Sequence, residues 1–170
     1  MGSRRATNFP WITGDESLDN LLDGDSPGGR VCRFKAGAAL NIGDTVYLSA
    51  AHTVNKSNTP ANYTAVMGVV VGGATTNYEI LQDDADVGKQ AAAANEVVLV
   101  CVAGKAKVVS DVAAIALGSK LTIGTTTAGR VDVGTITTDL AAGDNGSFVG
   151  TALEAATAIG QVILCLVNIH

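Results

Sequence analysis

Gly43-Asp44-Thr45-Val46-Tyr47-Leu48 opens on a glycine turn and runs on as an alternating apolar segment, and Val66-Met67-Gly68-Val69-Val70-Val71 follows it after a polar loop. The same arrangement returns later in different residues. Gly118-Ser119-Lys120-Leu121-Thr122-Ile123 repeats the first run, and Phe148-Val149-Gly150-Thr151-Ala152-Leu153 stands in the place of the second. Alternation at period two sends successive side chains to opposite faces, so each copy reads as a glycine-punctuated pair of strands with one face buried. The fold class this predicts is all-β: a glycine-rich, duplicated β-barrel or β-sandwich. A scaffold of that kind spends little on a catalytic apparatus and points toward binding or assembly.

Working outward, strand signals recur over 30–35, 44–49, 64–72, 78–81, 96–103, 105–110, 119–124, 129–133, 147–153 and 161–168, a spacing that suits a sandwich or barrel. Ala91-Ala92-Ala93-Ala94 and Val112-Ala113-Ala114-Ile115-Ala116 are the helical patches, both shorter than the roughly 12 residues an isolated helix needs. Two copies are too few for a solenoid, which takes about three or more. Residues 1–30 differ from the rest. There Phe9-Pro10-Trp11-Ile12 is followed by Asp15, Glu16, Asp19, Asp23 and Asp25 and then by Ser26-Pro27-Gly28-Gly29, which reads as an extended N-terminal arm and hinge. Within it, Ser17 to Leu22 is predicted as a brief capped turn of helix. The division expected is an arm over 1–30 and a β domain over 31–170.

Composition supports the same picture. A chain of 170 residues with 47% hydrophobic but only 4% aromatic residues fills its core with Val, Ala, Leu and Ile, which favours thin β layers in one domain. Its 20 glycines lie between the apolar runs, where repeated turns need them. A net charge of −5 and a pI near 4.8 would repel a phosphate backbone, so direct nucleic-acid binding is not expected. Mean hydropathy is +0.30, yet Val97 to Ala103 and Val162 to Val167 fall far short of the roughly 20 residues of a membrane-spanning helix, and no membrane partner is expected. Met1 to Arg5 are basic but introduce no apolar signal core, so synthesis in a cytoplasm is expected. Cys32, Cys101 and Cys165 each sit inside an apolar run without a CxxC pair and are predicted to be buried free thiols.

The chemical motifs are weaker than they look. Gly24-Asp25-Ser26-Pro27-Gly28 fits G-x-S-x-G, but that motif works between a strand and a helix, and Pro27-Gly28-Gly29 would end a helix at once. His52, in Ala50-Ala51-His52-Thr53-Val54, has no carboxylate or thiol at ligand spacing, and His170 ends the sequence. Neither the arm's carboxylates nor Asp83, Asp84 and Asp86 follow the EF-hand pattern, so these read as solvated acidic loops. Gly72-Gly73 and Gly118-Ser119-Lys120 lack the rest of a P-loop. Asn55-Lys56-Ser57, Asn62-Tyr63-Thr64 and Asn145-Gly146-Ser147 match the glycosylation sequon, which has no use without secretion. No catalytic residue, cofactor or metal is expected. A sugar-binding module of a virion or cell-surface appendage is the alternative, with Tyr47, Tyr63 and Tyr78 as its scattered aromatics.

What remains is the arm. Trp11, the one tryptophan, lies beside Phe9, Pro10 and Ile12 without a partner strand, and large aromatics in such segments serve as anchors in a partner's pocket. Phe34 to Leu48, Val66-Met67-Gly68-Val69-Val70, Val102-Ala103-Gly104-Lys105-Ala106-Lys107-Val108 and Leu117-Gly118-Ser119-Lys120-Leu121 together resemble the head decoration, or cement, proteins of tailed bacteriophages. The resemblance covers about residues 31–168 and leaves the arm outside. It implies a small β-rich module on the outer surface of the virion capsid, a homotrimer bound to the major capsid protein and stabilising contacts between capsomers. A capsid-binding arm would then use Phe9, Trp11 and Ile12 as anchors, with Arg4 and Arg5 pairing with acidic capsid groups.

Overall fold

The structure, a computed structural model, describes residues 29–57, 66–134 and 148–169. Eleven strands follow one another among them: β1 (Arg30–Ala36), β2 (Leu40–Asn41), β3 (Thr45–Ala50), β4 (Thr53–Lys56), β5 (Val66–Gly73), β6 (Gln90–Ala92), β7 (Val97–Val109), β8 (Lys120–Ile123), β9 (Val131–Val133), β10 (Phe148–Ala152) and β11 (Val162–Asn168). Ala74–Thr76 forms a single 3-10 turn. No described helix is long and apolar enough to cross a membrane. Nine strands form one sheet in the order β1-β4-β3-β5-β7-β11-β10-β8-β9, while β2 and β6 pair separately. The all-β expectation is what the chain adopts.

The sheet closes on itself, in two circuits. β1 pairs in parallel with β4 and antiparallel with β7, so that β1, β4, β3, β5 and β7 complete a first barrel. In the second circuit β7, β11, β10, β8 and β9 follow one another, and a parallel bridge from Ser110 to Val131 brings β9 back to the end of β7. β7 serves both barrels. Its first part, Val98 to Cys101, lies between β1 and β5, and its later part, Ala103 to Val109, pairs with β11. Ala103 stands opposite both Arg30 and Asn168.

Backbone hydrogen bonds superimpose one half on the other. Gly43 N–H donates to Val70 and Gly118 N–H to Ala152, both at 2.9 Å, and Val70 and Ala152 donate back to Asp44 and Ser119, again at 2.9 Å. At the closing edge Asn95 donates to Ala36 at 2.7 Å and Gly160 to Ser110 at 2.9 Å. Gly43 and Gly118 share a left-handed φ of 86° and 81°. Gly68 and Gly150 correspond as well: a Cβ at Gly68 would run into the carbonyl of Cys101, and one at Gly150 into the carbonyl of Leu166. The repeat is thus written in left-handed turns that favour glycine and in close backbone approaches that exclude a Cβ, although most side chains differ.

Two apolar clusters fill the interior. The first barrel encloses Leu40, Ile42, Val46, Val54, Val70, Val98 and Val100. The other cluster joins Leu121, Val131, Ile163 and Cys165 of the second barrel to Val69, Val71, Leu99 and Cys101, the alternate residues of β5 and β7. β5 and this part of β7 are therefore buried on both faces, which explains why Val69-Val70-Val71 and Val98-Leu99-Val100-Cys101 are continuous apolar runs.

Several expectations are corrected. Segments 96–103 and 105–110 are one strand, β7, running through Gly104. Tyr78 to Leu81 do not join the sheet: Tyr78 is left-handed at φ 64°, and Tyr78 and Ile80 lie against the larger cluster from outside. Ala91 and Ala92, read as helical, belong to β6 and are buried, and the missing side chain of Gly73 lets the Ala91 carbonyl approach closely. Val112–Ala116 is a connection whose Ile115 forms an isolated bridge to Ala156 in the connection between β10 and β11. β2, β4 and β6, of two to four residues, were not foreseen.

Candidate interaction surface

Of the residues singled out in the sequence, Arg4, Arg5, Phe9, Trp11 and Ile12 lie outside the described residues, as do Ser26 with its G-x-S-x-G setting, Asn62, Tyr63 and Asn145. His52 occupies the left-handed corner between β3 and β4 at φ 55°, exposed, its carbonyl accepting the Lys35 N–H at 2.8 Å. Among the described residues no three His, Cys, Asp or Glu side chains gather as metal ligands would. Asp84 and Asp86 are held by lysines: Asp84 to Lys107 at 2.9 Å and Asp86 to Lys89 at 2.6 Å. Lys107 also reaches Glu154 at 3.2 Å, tying residues 74–89 of the first barrel to the second. Burial alone would lower the Lys107 pKa, but the bonds to Asp84 and Glu154 outweigh it and raise the value.

The cysteines are free, with Cys101 and Cys165 buried and Cys32 half-buried. Desolvation pushes the Cys101 thiol up to about 12 and Cys165 higher still, so both stay protonated and unreactive at neutral pH. Asn55 and Ser57 of the first sequon lie in and just beyond β4, and the Ser57 hydroxyl is buried against Thr45 Oγ1 at 2.6 Å. Tyr78 carries the Arg33 guanidinium 5.5 Å from its ring centre, which occupies one of the faces a sugar would need.

Asp44 marks a seam between the barrels. Thr45 N–H donates to Gly129 and Gly129 N–H to Ser57, so the connection between β8 and β9 completes the end of the β3–β4 ladder. Asp44 itself accepts the Asn41 N–H at 2.6 Å and pairs with Lys56 at 2.9 Å. Burial raises its pKa above the ordinary carboxylate value in spite of the opposing Asn41 and Lys56 bonds. The folded state then holds the proton more tightly than the unfolded state, so this contribution is greatest in acid and is lost as pH rises through the folded pKa. Asp44→Asn should therefore compare better with the parent at pH 7 than at about pH 3, where the parent gains its proton. Urea denaturation of both proteins at the two pH values checks this, and a gap that moved the other way would refute it.

Among the described residues, the most exposed large apolar side chains belong to the second barrel. β7 and β10 both run antiparallel to β11, so the connections 110–119 and 153–161 emerge at one end. Leu117 sits in the first at 71% exposure and Ile159 in the second at 64%. The counterpart of Leu117 is Ile42, which is 2% exposed. The difference is a cap. In the first barrel residues 74–89 cover that end: Leu81 and Val87 pack on the cluster containing Ile42, Ile42 N–H donates to Lys89, and Gly88 N–H donates to Ile42. In the second barrel only 153–155 separate β10 from Ala156, and no described group bonds to the backbone of Leu117. The unequal spacing between the repeated strands was the signal for this end, and periodicity alone passes over it.

No protein-family model matches the chain, and no curated protein matches it. Among solved structures it is similar to the head fiber gp8.5 N base of bacteriophage phi29, at 14% identity, covering 82% of this chain and 93% of that one, with a TM-score of 0.45.

Proposed function

We propose that this protein is a non-enzymatic decoration, or cement, protein of a phage head, bound as a homotrimer to the major capsid protein on the outer capsid surface. The observation that supports this reading is where the family-like segments fall. Phe34 to Leu48 spans the end of β1, β2 and the start of β3; Val66 to Val70 lies in β5; Val102 to Val108 is the part of β7 that passes between barrels; Leu117 to Leu121 turns into β8. The segments that carry the resemblance are thus the paired strands and their turns.

The mechanism is mechanical. A trimer that touches several capsid subunits turns each later contact into an intramolecular event at high effective concentration, so weak individual contacts become durable. Phe9, Trp11 and Ile12 would anchor the arm in pockets of the capsid protein, while Arg4 and Arg5 add only about 0–1 kcal/mol each as exposed ion pairs. Removing residues 1–14 should lower occupancy on purified capsids that lack the protein, with the circular dichroism of the β domain unchanged. Full occupancy after truncation would sink the arm's role, and clean capsids beside the intact protein would sink the capsid reading.

A further inference from the structure

We infer that the Leu117 end of the second barrel receives an extended, acidic segment of another protein, seated as residues 81–89 seat on the first barrel. The duplication supplies the template. In the first barrel β2 continues past Leu40 and Asn41 to Ile42 with a partner throughout: Ala92, Gln90 and then Lys89 and Gly88. In the second the equivalent ladder begins at Ile115 with Ala156, the counterpart of Leu40 with Ala92, and then stops. Leu117 is left with its side chain in solvent and its N–H and carbonyl unbonded among the described residues. A strand laid along this short edge would regain the two backbone bonds that Ile42 makes and cover Leu117 with an aliphatic side chain, as Val87 covers the first barrel.

Charge selects the kind of segment. The cap of the first barrel reads Leu81-Gln82-Asp83-Asp84-Ala85-Asp86-Val87-Gly88-Lys89, with acidic residues ahead of the aliphatic one. Of its three aspartates, Asp84 meets Lys107 of β7 and Asp86 meets Lys89 within the cap itself. Around the bare end two cations have no described carboxylate partner. Lys120, three residues after Leu117, rests its Nζ on Thr151 Oγ1 at 3.0 Å. Arg130 brings Nη1 to 3.7 Å from where a Cβ on Gly160 would stand, next to Ile159. By contrast Lys56, Lys89 and Lys107 are all paired. An acidic strand presenting one aliphatic residue followed by glycine therefore fits both the edge and its charge. This deepens the capsid reading by naming where a head protein is gripped, and it rests on that reading only for the identity of the partner.

A synthetic peptide with the sequence of residues 81–90 is the probe, since the first barrel's own site is already filled by the same sequence in place. Added to the isotope-labelled full chain, it should shift the amides of Ala116, Leu117 and Gly118 saturably. Leu117→Lys should weaken binding at least tenfold, and a peptide with its three aspartates changed to lysine should weaken it similarly. No shift at millimolar peptide, or shifts indifferent to Leu117→Lys, would overturn the inference. Amide positions that move with protein concentration alone would assign the edge to a second copy, and positions altered by Ile12→Lys would assign it to the chain's own arm; either also overturns it. Peptide binding needs no capsid, so its failure and a failure to decorate capsids are read separately.

Discussion

Alanine at Gly68 or at Gly150 is expected to cost at least about 3 kcal/mol of stability, the upper part of the range for single substitutions. The two positions are counterparts, and each faces a carbonyl oxygen of the neighbouring strand rather than a side chain: Cys101 at Gly68, Leu166 at Gly150. A flexible side chain could swing aside, but a ladder carbonyl cannot move without taking its hydrogen bonds with it. Gly68 adds a φ of 138°, which an L residue rarely adopts, so its alanine variant should be the worse of the two. Thermal and urea denaturation measure both. A loss below about 1 kcal/mol at either site would mean that the strands separate more readily than their register implies.

Ile163→Ala is expected to cost about 2–5 kcal/mol, as for other large-to-small changes at fully buried aliphatic sites. Ile163 is wholly buried in β11 and pairs with Val108 on the later part of β7. Its counterpart is Val98, paired with Phe34. β7 is a wall of both barrels and residues of both share one cluster, so the loss should not stay in the second barrel. One cooperative transition at lower denaturant is the expected result, with hydrogen exchange accelerated at Val98 and Val100 as well as along β11. Two resolved transitions, or unchanged protection in the first barrel, would show that the halves unfold independently.

Much of this fold could be read directly from glycine and alternation, because both report on the backbone. Gly43 and Gly118 sit at left-handed turns that favour glycine, Gly68 and Gly150 where a close strand excludes a Cβ, and they keep their places while their neighbours change. The readings that failed concern residues whose pattern suits two environments. Tyr78-Glu79-Ile80-Leu81 alternates like a strand yet forms no ladder, its Tyr78 and Leu81 N–H groups bonding back to the Gly73 and Val71 carbonyls of β5, and periodicity does not separate the two. Ala91 and Ala92 have high helix propensity, but pairing with β2 and the close approach of the Ala91 carbonyl to Gly73 hold them in a strand. β2, β4 and β6 are too short to show a period. The arm residues nominated as anchors lie outside the described residues, and the exposed end at Leu117 emerges only when the two copies are compared.

β7 has a further consequence, for distance. Its thirteen residues form one continuous strand between two closed barrels, with no linker at which they could swing apart. At about 3.3 Å per residue it spans up to roughly 40 Å, held between β1 and β5 over Val98 to Cys101 and by β11 over Ala103 to Val109. Whatever surface engages both barrels meets two patches at a fixed spacing. A lattice of matching pitch is met with little orientational entropy left to lose, and one of the wrong pitch can be touched by one barrel at a time.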